Sequence, residues 1–218
     1  MPSRKTLDLF NKNKIDKYFK KNNPEYVFMI AAKVGGIKDN INYPIEYLED
    51  NLLLQTNLFQ ICKKYKVKKN VFIGSSCIYP VNAKNPIKEN NFLMGVLEKT
   101  NEGYALAKIV GIRQAQYYFK KHNMLTILPM ICNIYGTNDN FDIEKGHAMS
   151  NLIRKILKAK HNNFKTLEVW GSGKARREYI HVTDAAAAII FLFEKYNSEE
   201  IINVGSGKDI SIYELVKL

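Results

Sequence analysis

Short apolar runs alternate with stretches of helical period along almost the whole chain. No other feature restricts the fold so tightly. Tyr26–Ala32 (YVFMIAA), Val71–Ile73, Leu125–Met130 and Ile201–Val204 read as buried strands. Residues 46–66 carry apolar positions at helical spacing and close on lysines, which suit the negative end of a helix. A second helix is expected from about 101 to 121, capped by Thr100 or Asn101. Others are expected over 148–160 and 185–195, the latter capped by Thr183 or Asp184, and a last one starts near Ser211. Leu167–Trp170 reads as a short strand before a GSGK turn. Strands and helices joined by short connections predict an α/β fold, a mostly parallel sheet with helices on both faces. A shift toward Gly, Lys and Arg near 160–180 marks a smaller lobe.

Ligands in such sheets bind outside the carboxyl ends of the strands. Segments 27–36, 71–80 and 128–137 each leave a strand into Gly, Ser, Cys, Asn or Tyr, so three polar strand ends converge on one crevice. One of them, GSSCIYP (74–80), sets Ser75, Ser76, Cys77 and Tyr79 side by side. About thirty residues on, GYALAK (103–108) places Tyr104 and Lys108 four apart in a helix, on one face. A lysine beside a phenol favours phenolate and lowers its pKa, giving a usable proton donor or acceptor near neutrality. Chance Tyr/Lys pairs at this spacing are common. The serine at a neighbouring strand end is what strengthens the pairing, because its hydroxyl can bond the same oxygen or a substrate carbonyl.

Composition removes several other classes. The chain has 218 residues, 46% hydrophobic and 25% charged, enough for one substantial core. Its longest apolar run, Ala185–Phe193, is too short to span a bilayer, and MPSRKTLDLFNKNK has no apolar signal core. Cys62, Cys77 and Cys132 are an odd set without metal-type spacing, so no metal site and a reducing, cytoplasmic setting are expected. Lys and Arg outnumber Asp and Glu by 33 − 21 = 12. The surplus suits an anionic partner, but it is scattered as lysine pairs along the chain and not gathered in a nucleic-acid-binding face.

The Ser75, Tyr104, Lys108 set resembles the extended short-chain dehydrogenase/reductases that act on nucleotide sugars. Within them AAKVGGI (31–37), GSSCIYP, TNEGYALAKIVGI (100–112), NIYGTNDNF (133–141), VWGSGKARREYIHVTD (169–184) and INVGSGKDISI (202–212) are similar to the GDP-L-fucose synthase family. The resemblance implies a Rossmann-like sheet, with residues 1–145 an incomplete NADP-binding domain. Residues 146–218 would form part of a substrate-binding lobe, with about 178–205 returning to the sheet. It implies NADPH-dependent epimerisation at C3 and C5 and reduction at C4 of GDP-4-keto-6-deoxy-D-mannose. Cys77 and His147 would exchange protons beside the ketone. Tyr104 would protonate the reduced oxygen, Lys108 would tune Tyr104 and hold the cofactor ribose, and Ser75 would orient the carbonyl. Cofactor contacts would come from Ile73, Gly74, Ser75, Ser76, Lys108, Ile131, Cys132, Asn133, Ile134 and His147. Lys155, Trp170 and Arg177 would hold the GDP-sugar, with Arg176 an alternative to Arg177. A homodimer through helices 46–66 and 101–121 is implied, with neither nucleic acid nor membrane as partner.

The chain departs from the family in three places. Ile131 and Cys132 stand where the family has Pro and Thr. No Gly-x-x-Gly-x-x-Gly turn follows an opening strand, and Val34-Gly35-Gly36 follows a later one. The chain is expected to begin after the first β-α-β unit and to stop inside the C-terminal lobe, which puts NADPH binding in doubt and leaves an exposed sheet edge. A non-catalytic GDP-sugar-binding or subunit-binding relative, or a related GDP-deoxysugar or heptose enzyme, is the competing expectation.

Overall fold

The computed structural model describes residues 2, 5–142 and 146–218. Its main sheet is wholly parallel. It contains β1 (Tyr26–Met29), β2 (Lys69–Phe72), β3 (Gly74–Ser75), β4 (Thr126–Ile131) and β7 (Ile201–Val204). Asn70 pairs with Thr126 and Gly74 with Met130, the same offset in both. β2 and β3 are therefore one track interrupted at Ile73. β4 lies between that track and β7, and all six of its residues are buried. β1 pairs with β2 along one flank.

Two long helices cover one face. α3 (Pro44–Lys64) starts with proline, whose missing N–H costs nothing in a first turn, and closes on Lys63 and Lys64. α4 (Glu102–His122) closes on Lys120, Lys121 and His122, with Asn123 in the left-handed region at φ 52°. They pack side by side over the sheet, and Phe59, Ile112, Leu128 and Met130 share one core with Ile15 and Phe19 of α1 (Lys12–Asn22). Fully burying one such side chain contributes about 1.5–3 kcal/mol. The face of α3 toward the core also carries amides, each satisfied. Asn51 bonds both backbone groups of Lys33, Gln55 Nε2 donates to Ala107 O at 2.8 Å, and Asn57 Nδ2 donates to Leu9 O at 3.1 Å.

α6 (Val182–Lys195) covers the opposite face, where Leu192 meets Val71 and Ile127. Lys69 Nζ ties its C-terminal end to β2, donating to Tyr196 O and Asn197 Oδ1 at 2.9 Å and to Phe193 O. A smaller sheet follows the end of β4. Beyond Cys132 the chain enters β5 (Asn133–Tyr135), parallel to β6 (Arg176–His181), which pairs antiparallel with β8 (Asp209–Ser211). The remaining helices are α2 (Ile37–Asn42), α5 (Ala148–His161) and α7 (Ile212–Lys217), the last opened by a Ser211/Glu214 capping box. Among the described residues no helix is long and apolar enough to cross a membrane.

Several expectations need correction. Leu167–Trp170 is not a strand: its half-buried and exposed residues alternate, but no neighbouring strand supplies a ladder. Strand structure comes later, at Arg176–His181, where leading charges hide the pattern. α6 is capped by His181, whose side chain accepts from Thr183 N, and not by Thr183 or Asp184. Asn101 occupies the N-cap of α4 without a side-chain bond. α1 and α2 had no counterpart in the sequence reading. The apolar stripe of α1 is a single pair, Ile15 and Phe19, set among lysines.

Candidate active site

The β2/β3 track ends in a one-turn 3-10 helix, Ser76–Ile78, which places Cys77 just past the sheet. Ser75 caps that turn, its Oγ accepting from Cys77 N at 3.4 Å. At the far end Tyr79 is anchored by its hydroxyl, which donates to Asn203 Oδ1 of β7 at 2.6 Å. Asn203 also donates from Nδ2 to Ile87 O and from its backbone N–H to Glu89 Oε1, so the loop after Tyr79 is fastened to the sheet. Gly74 lets β4 pack closely: a Cβ there would stand 2.1 Å from Met130 Cε, displacing that side chain, and 3.1 Å from Pro129 O.

α4 brings Tyr104 and Lys108 to the same place. Lys108 is 3% exposed, and its Nζ donates to Ile73 O at 2.8 Å, at the break between β2 and β3. The ammonium lies 5.6 Å from the Tyr104 ring centroid and 4.7 Å from that of Phe72. Burial lowers the Lys108 pKa from 10.5 to about 8, with Cys77 acting in the opposite sense. Burial likewise pushes the Cys77 thiol up from 9.0 to about 11, against the pull of the Ser75 hydrogen bond and the Lys108 charge. Tyr104 is pushed above its ordinary value by burial first, then by Cys77 and Tyr47. The expectation that Lys108 lowers the phenol pKa is thus overturned. The lysine is committed to Ile73 O, and desolvation of a phenolate outweighs its charge. Tyr104 and Cys77 both stand protonated at neutral pH.

The end of β4 forms the next wall. Ile131 is buried, and Cys132 N continues the ladder by donating to Val204 O at 3.0 Å, so the substituted pair keeps its backbone in register with β7. Asn133 is exposed and donates from Nδ2 to Glu178 O at 2.9 Å, and Ile134 is 40% exposed. Ser76 is exposed beside Cys77. His147 is the exposed N-cap of α5, its carbonyl accepting from Ser150 Oγ at 3.1 Å. Among the described residues no hydrogen bond or ring contact joins His147 to Cys77 or Tyr104. Ser75, Cys77, Tyr104 and Lys108 are brought together at one strand end.

Lys155 lies half-buried on α5, and Trp170 is exposed, which removes the possibility of a core tryptophan. The two arginines of β6 differ. Arg176 pairs with Asp209 Oδ1 at 2.9 Å and Glu214 Oε2 at 3.4 Å, whereas Arg177 forms no ion pair among the described residues. Arg177 instead donates from Nη1 to Arg176 O at 2.8 Å.

Nicotinamide-cofactor chemistry fits part of this surface. The buried lysine, the Ser75 hydroxyl and the open end of β4 suit a nicotinamide ribose. The double glycine after β1 does not suit a pyrophosphate: space beside Gly35 is filled by the Tyr47 hydroxyl, 2.2 Å from where a Cβ would stand.

A parallel sheet flanked by helices, with serine at one strand end and a tyrosine–lysine pair on the facing helix, makes this a Rossmann-like α/β protein. The chain belongs to the NAD dependent epimerase/dehydratase family, whose profile matches residues 3–205. It is 45% identical over 212 residues to a putative GDP-L-fucose synthase 2 of Arabidopsis thaliana, a match covering 97% of this chain and 65% of that relative. A GDP-6-OMe-4-keto-L-xylo-heptose reductase from Campylobacter jejuni superimposes with a TM-score of 0.90 at 32% identity, over 99% of this chain and 73% of that one. A GDP-mannoheptose C4 reductase from the same organism, with NADP bound, gives 0.88 at 33%, over 99% and 74%.

Sequence reasoning passed over Tyr47, whose ring lies 6.4 Å from that of Tyr104. Nothing local marks it, since it sits in a helix as an ordinary core aromatic. The glycine pair that makes room for its hydroxyl was visible.

Proposed function

We propose that this chain carries out NADPH-dependent epimerisation at C3 and C5 and reduction at C4 of GDP-4-keto-6-deoxy-D-mannose, giving GDP-L-fucose. The observation that carries the reading is the cluster of half-buried Cys77 and Tyr104 with buried Lys108 at one strand end, with Ser75 beside it. The C4 ketone makes the hydrogens on its neighbouring carbons acidic. Cys77 and His147 exchange protons there, Cys77 as a thiol that releases its proton only under the nearby Lys108 charge. Ser75 orients the ketone. NADPH, when bound, would supply the hydride for C4, and Tyr104, held protonated by burial, gives the oxygen its proton. A positioned donor of this kind is worth about 10²–10⁴ in rate. Lys108 holds the cofactor ribose together with Ile73, Gly74, Ser76, Ile131, Cys132, Asn133, Ile134 and His147. Lys155, Trp170 and Arg177 take the GDP-sugar, the guanidinium offering planar donors to the diphosphate.

Residues 1–145 serve as the cofactor half and 146–218 as part of the substrate lobe, in a cytoplasmic enzyme. A homodimer forms through α3 and α4, which present Ile45, Leu53, Leu106, Val110 and Tyr117 outward at one- and two-turn spacing. A second reading, reduction of a GDP-4-keto-heptose, is supported by the likeness to the two Campylobacter jejuni reductases.

The test is incubation with GDP-4-keto-6-deoxymannose in deuterated water, with and without NADPH. Deuterium at C3 and C5, followed by fucose formation when NADPH is added, supports the proposal. Reduction without exchange favours a simple C4 reductase. Neither, in folded protein, removes the enzymatic reading and leaves a GDP-sugar-binding relative.

A further inference from the structure

The Lys33-Val34-Gly35-Gly36 stretch has no place in the chemistry above, yet the structure wraps it around one side chain. Tyr47 of α3 is 1% exposed. Its hydroxyl donates to Asp39 Oδ2 at 2.6 Å. Lys33 Nζ lies 5.7 Å from its ring centroid, and Asn51, one turn along α3, clamps the loop by bonding Lys33 N, Lys33 O and Tyr47 O at 2.9, 3.1 and 2.7 Å. Gly35 closes the wrap, since a Cβ there would come within 2.2 Å of the Tyr47 oxygen. On its other side the Tyr47 ring meets the edge of Tyr104, centroids 6.4 Å apart and planes at 81°. Both rings line a cavity of about 220 Å³, with Asn40, Thr100 and Gly103 among its other walls.

We propose that Tyr47 is a positioning residue for Tyr104, and that the Lys33–Gly36 loop sets the position of the Tyr104 phenol through it. The inference rests on the reading of Tyr104 as the proton donor at C4, and it deepens that reading. The physical basis is close packing. A ring held at its hydroxyl by Asp39, at its face by Lys33 and at its tip by a bare glycine backbone cannot shift independently of the loop. An edge-to-face neighbour then fixes the plane of Tyr104. Reaction geometry is sensitive to displacements of about 1 Å. Gly35 has no left-handed φ, so alanine is allowed there by the backbone and acts by pushing on the Tyr47 oxygen at 2.2 Å and, less severely, on Asp39 Oδ2 at 3.0 Å.

The Tyr47 contact, much the tighter of the two, makes the test a double-mutant cycle with Gly35→Ala and Tyr47→Phe. Two readouts are taken: the NMR signal of the ¹³C-labelled Tyr104 ring, assigned with Tyr104→Phe, and the ratio of C4 reduction to C3/C5 deuterium exchange. Tyr47→Phe keeps the ring but loses the Asp39 tether, so it moves the Tyr104 signal slightly and lowers reduction severalfold. Gly35→Ala moves the Tyr104 signal and lowers reduction about tenfold while exchange at C3 and C5 persists. In the double variant the oxygen is gone, and both readouts return toward those of Tyr47→Phe alone. A purely structural role would lower reduction and exchange together. An equal effect of Gly35→Ala in both backgrounds, or a Tyr104 signal indifferent to it, overturns the proposal. The NMR arm needs no turnover, so a chain lacking activity sinks the proposed function while the coupling of Tyr47 to Tyr104 is still decided.

Discussion

Lys108 Nζ donates to the carbonyl oxygen of Ile73 at 2.8 Å, joining the second turn of α4 to the break between β2 and β3. One buried cation thus fills a gap in the strand ladder and sits beside both the thiol of Cys77 and the ring of Tyr104. Lys108→Met keeps the stem and removes all of this. Ile73 O loses its donor, and the Cys77 thiol loses the charge that favours its ionisation. The expected result is a reduction rate at least about a hundredfold lower and a Cys77 alkylation profile displaced to higher pH, followed with iodoacetamide.

Alkaline stability follows from the same burial. The pKa of Lys108 falls from 10.5 unfolded to about 8 folded, so from pH 8 to 10.5 the unfolded chain holds the extra proton and this group raises stability with pH. Cysteines act the other way. Cys62 rises from 9.0 to about 12, and Cys77 and Cys132 to about 11, so above pH 9 the folded chain keeps protons that the unfolded chain has lost. Three thiols outweigh one ammonium. Thermal melts should be level or rising between pH 8 and 9 and should fall above pH 9, with a shallower fall in Cys62→Ala relative to its own neutral value.

Cys77→Ser tests the proton exchange. The hydroxyl fills the same space under the Ser75 cap but does not ionise near neutrality. Deuterium incorporation at C3 and C5 should fall by about 10²–10⁴, with the melting temperature nearly unchanged. Equal exchange in parent and variant would assign the chemistry to another group.

The two arginines of β6 should separate binding from structure. Arg176→Ala loosens the antiparallel pairing of β6 with β8 by removing contacts to Asp209 and Glu214, a small effect for solvent-exposed pairs. Arg177→Ala should leave the melting temperature unchanged and weaken GDP-sugar affinity, as read by calorimetric titration.

Leu106→Glu places a charge within the outward apolar stripe of α3 and α4. It should shift sedimentation from dimer to monomer without changing the far-ultraviolet circular dichroism of the chain.

Much of the architecture could be read from periodicity. The strand at 201–204 and the long helices were visible because buried runs and closing lysines are local signals. Elements whose pattern is short or masked by charge were not: α1 shows only Ile15 and Phe19, and β6 opens on two arginines. Leu167–Trp170 shows the reverse, because alternation without a partner strand makes no strand. At the site, the Ser75, Tyr104, Lys108 spacing was legible, but the sense of the phenol shift was not. Spacing puts the lysine on the right face; only packing shows it spent on Ile73 O and both groups stripped of water.

By itself, then, the sequence determined the α/β class, the strand ends that carry chemistry and the residue types available there, since all of these follow from local order along the chain. Tertiary structure alone decided which partner Lys108 takes, which of two adjacent arginines enters ion pairs, and that Tyr47 stands between a glycine loop and Tyr104. Hydrogen-bond choice, desolvation and steric contact depend on residues far apart in the chain, and no local pattern encodes them.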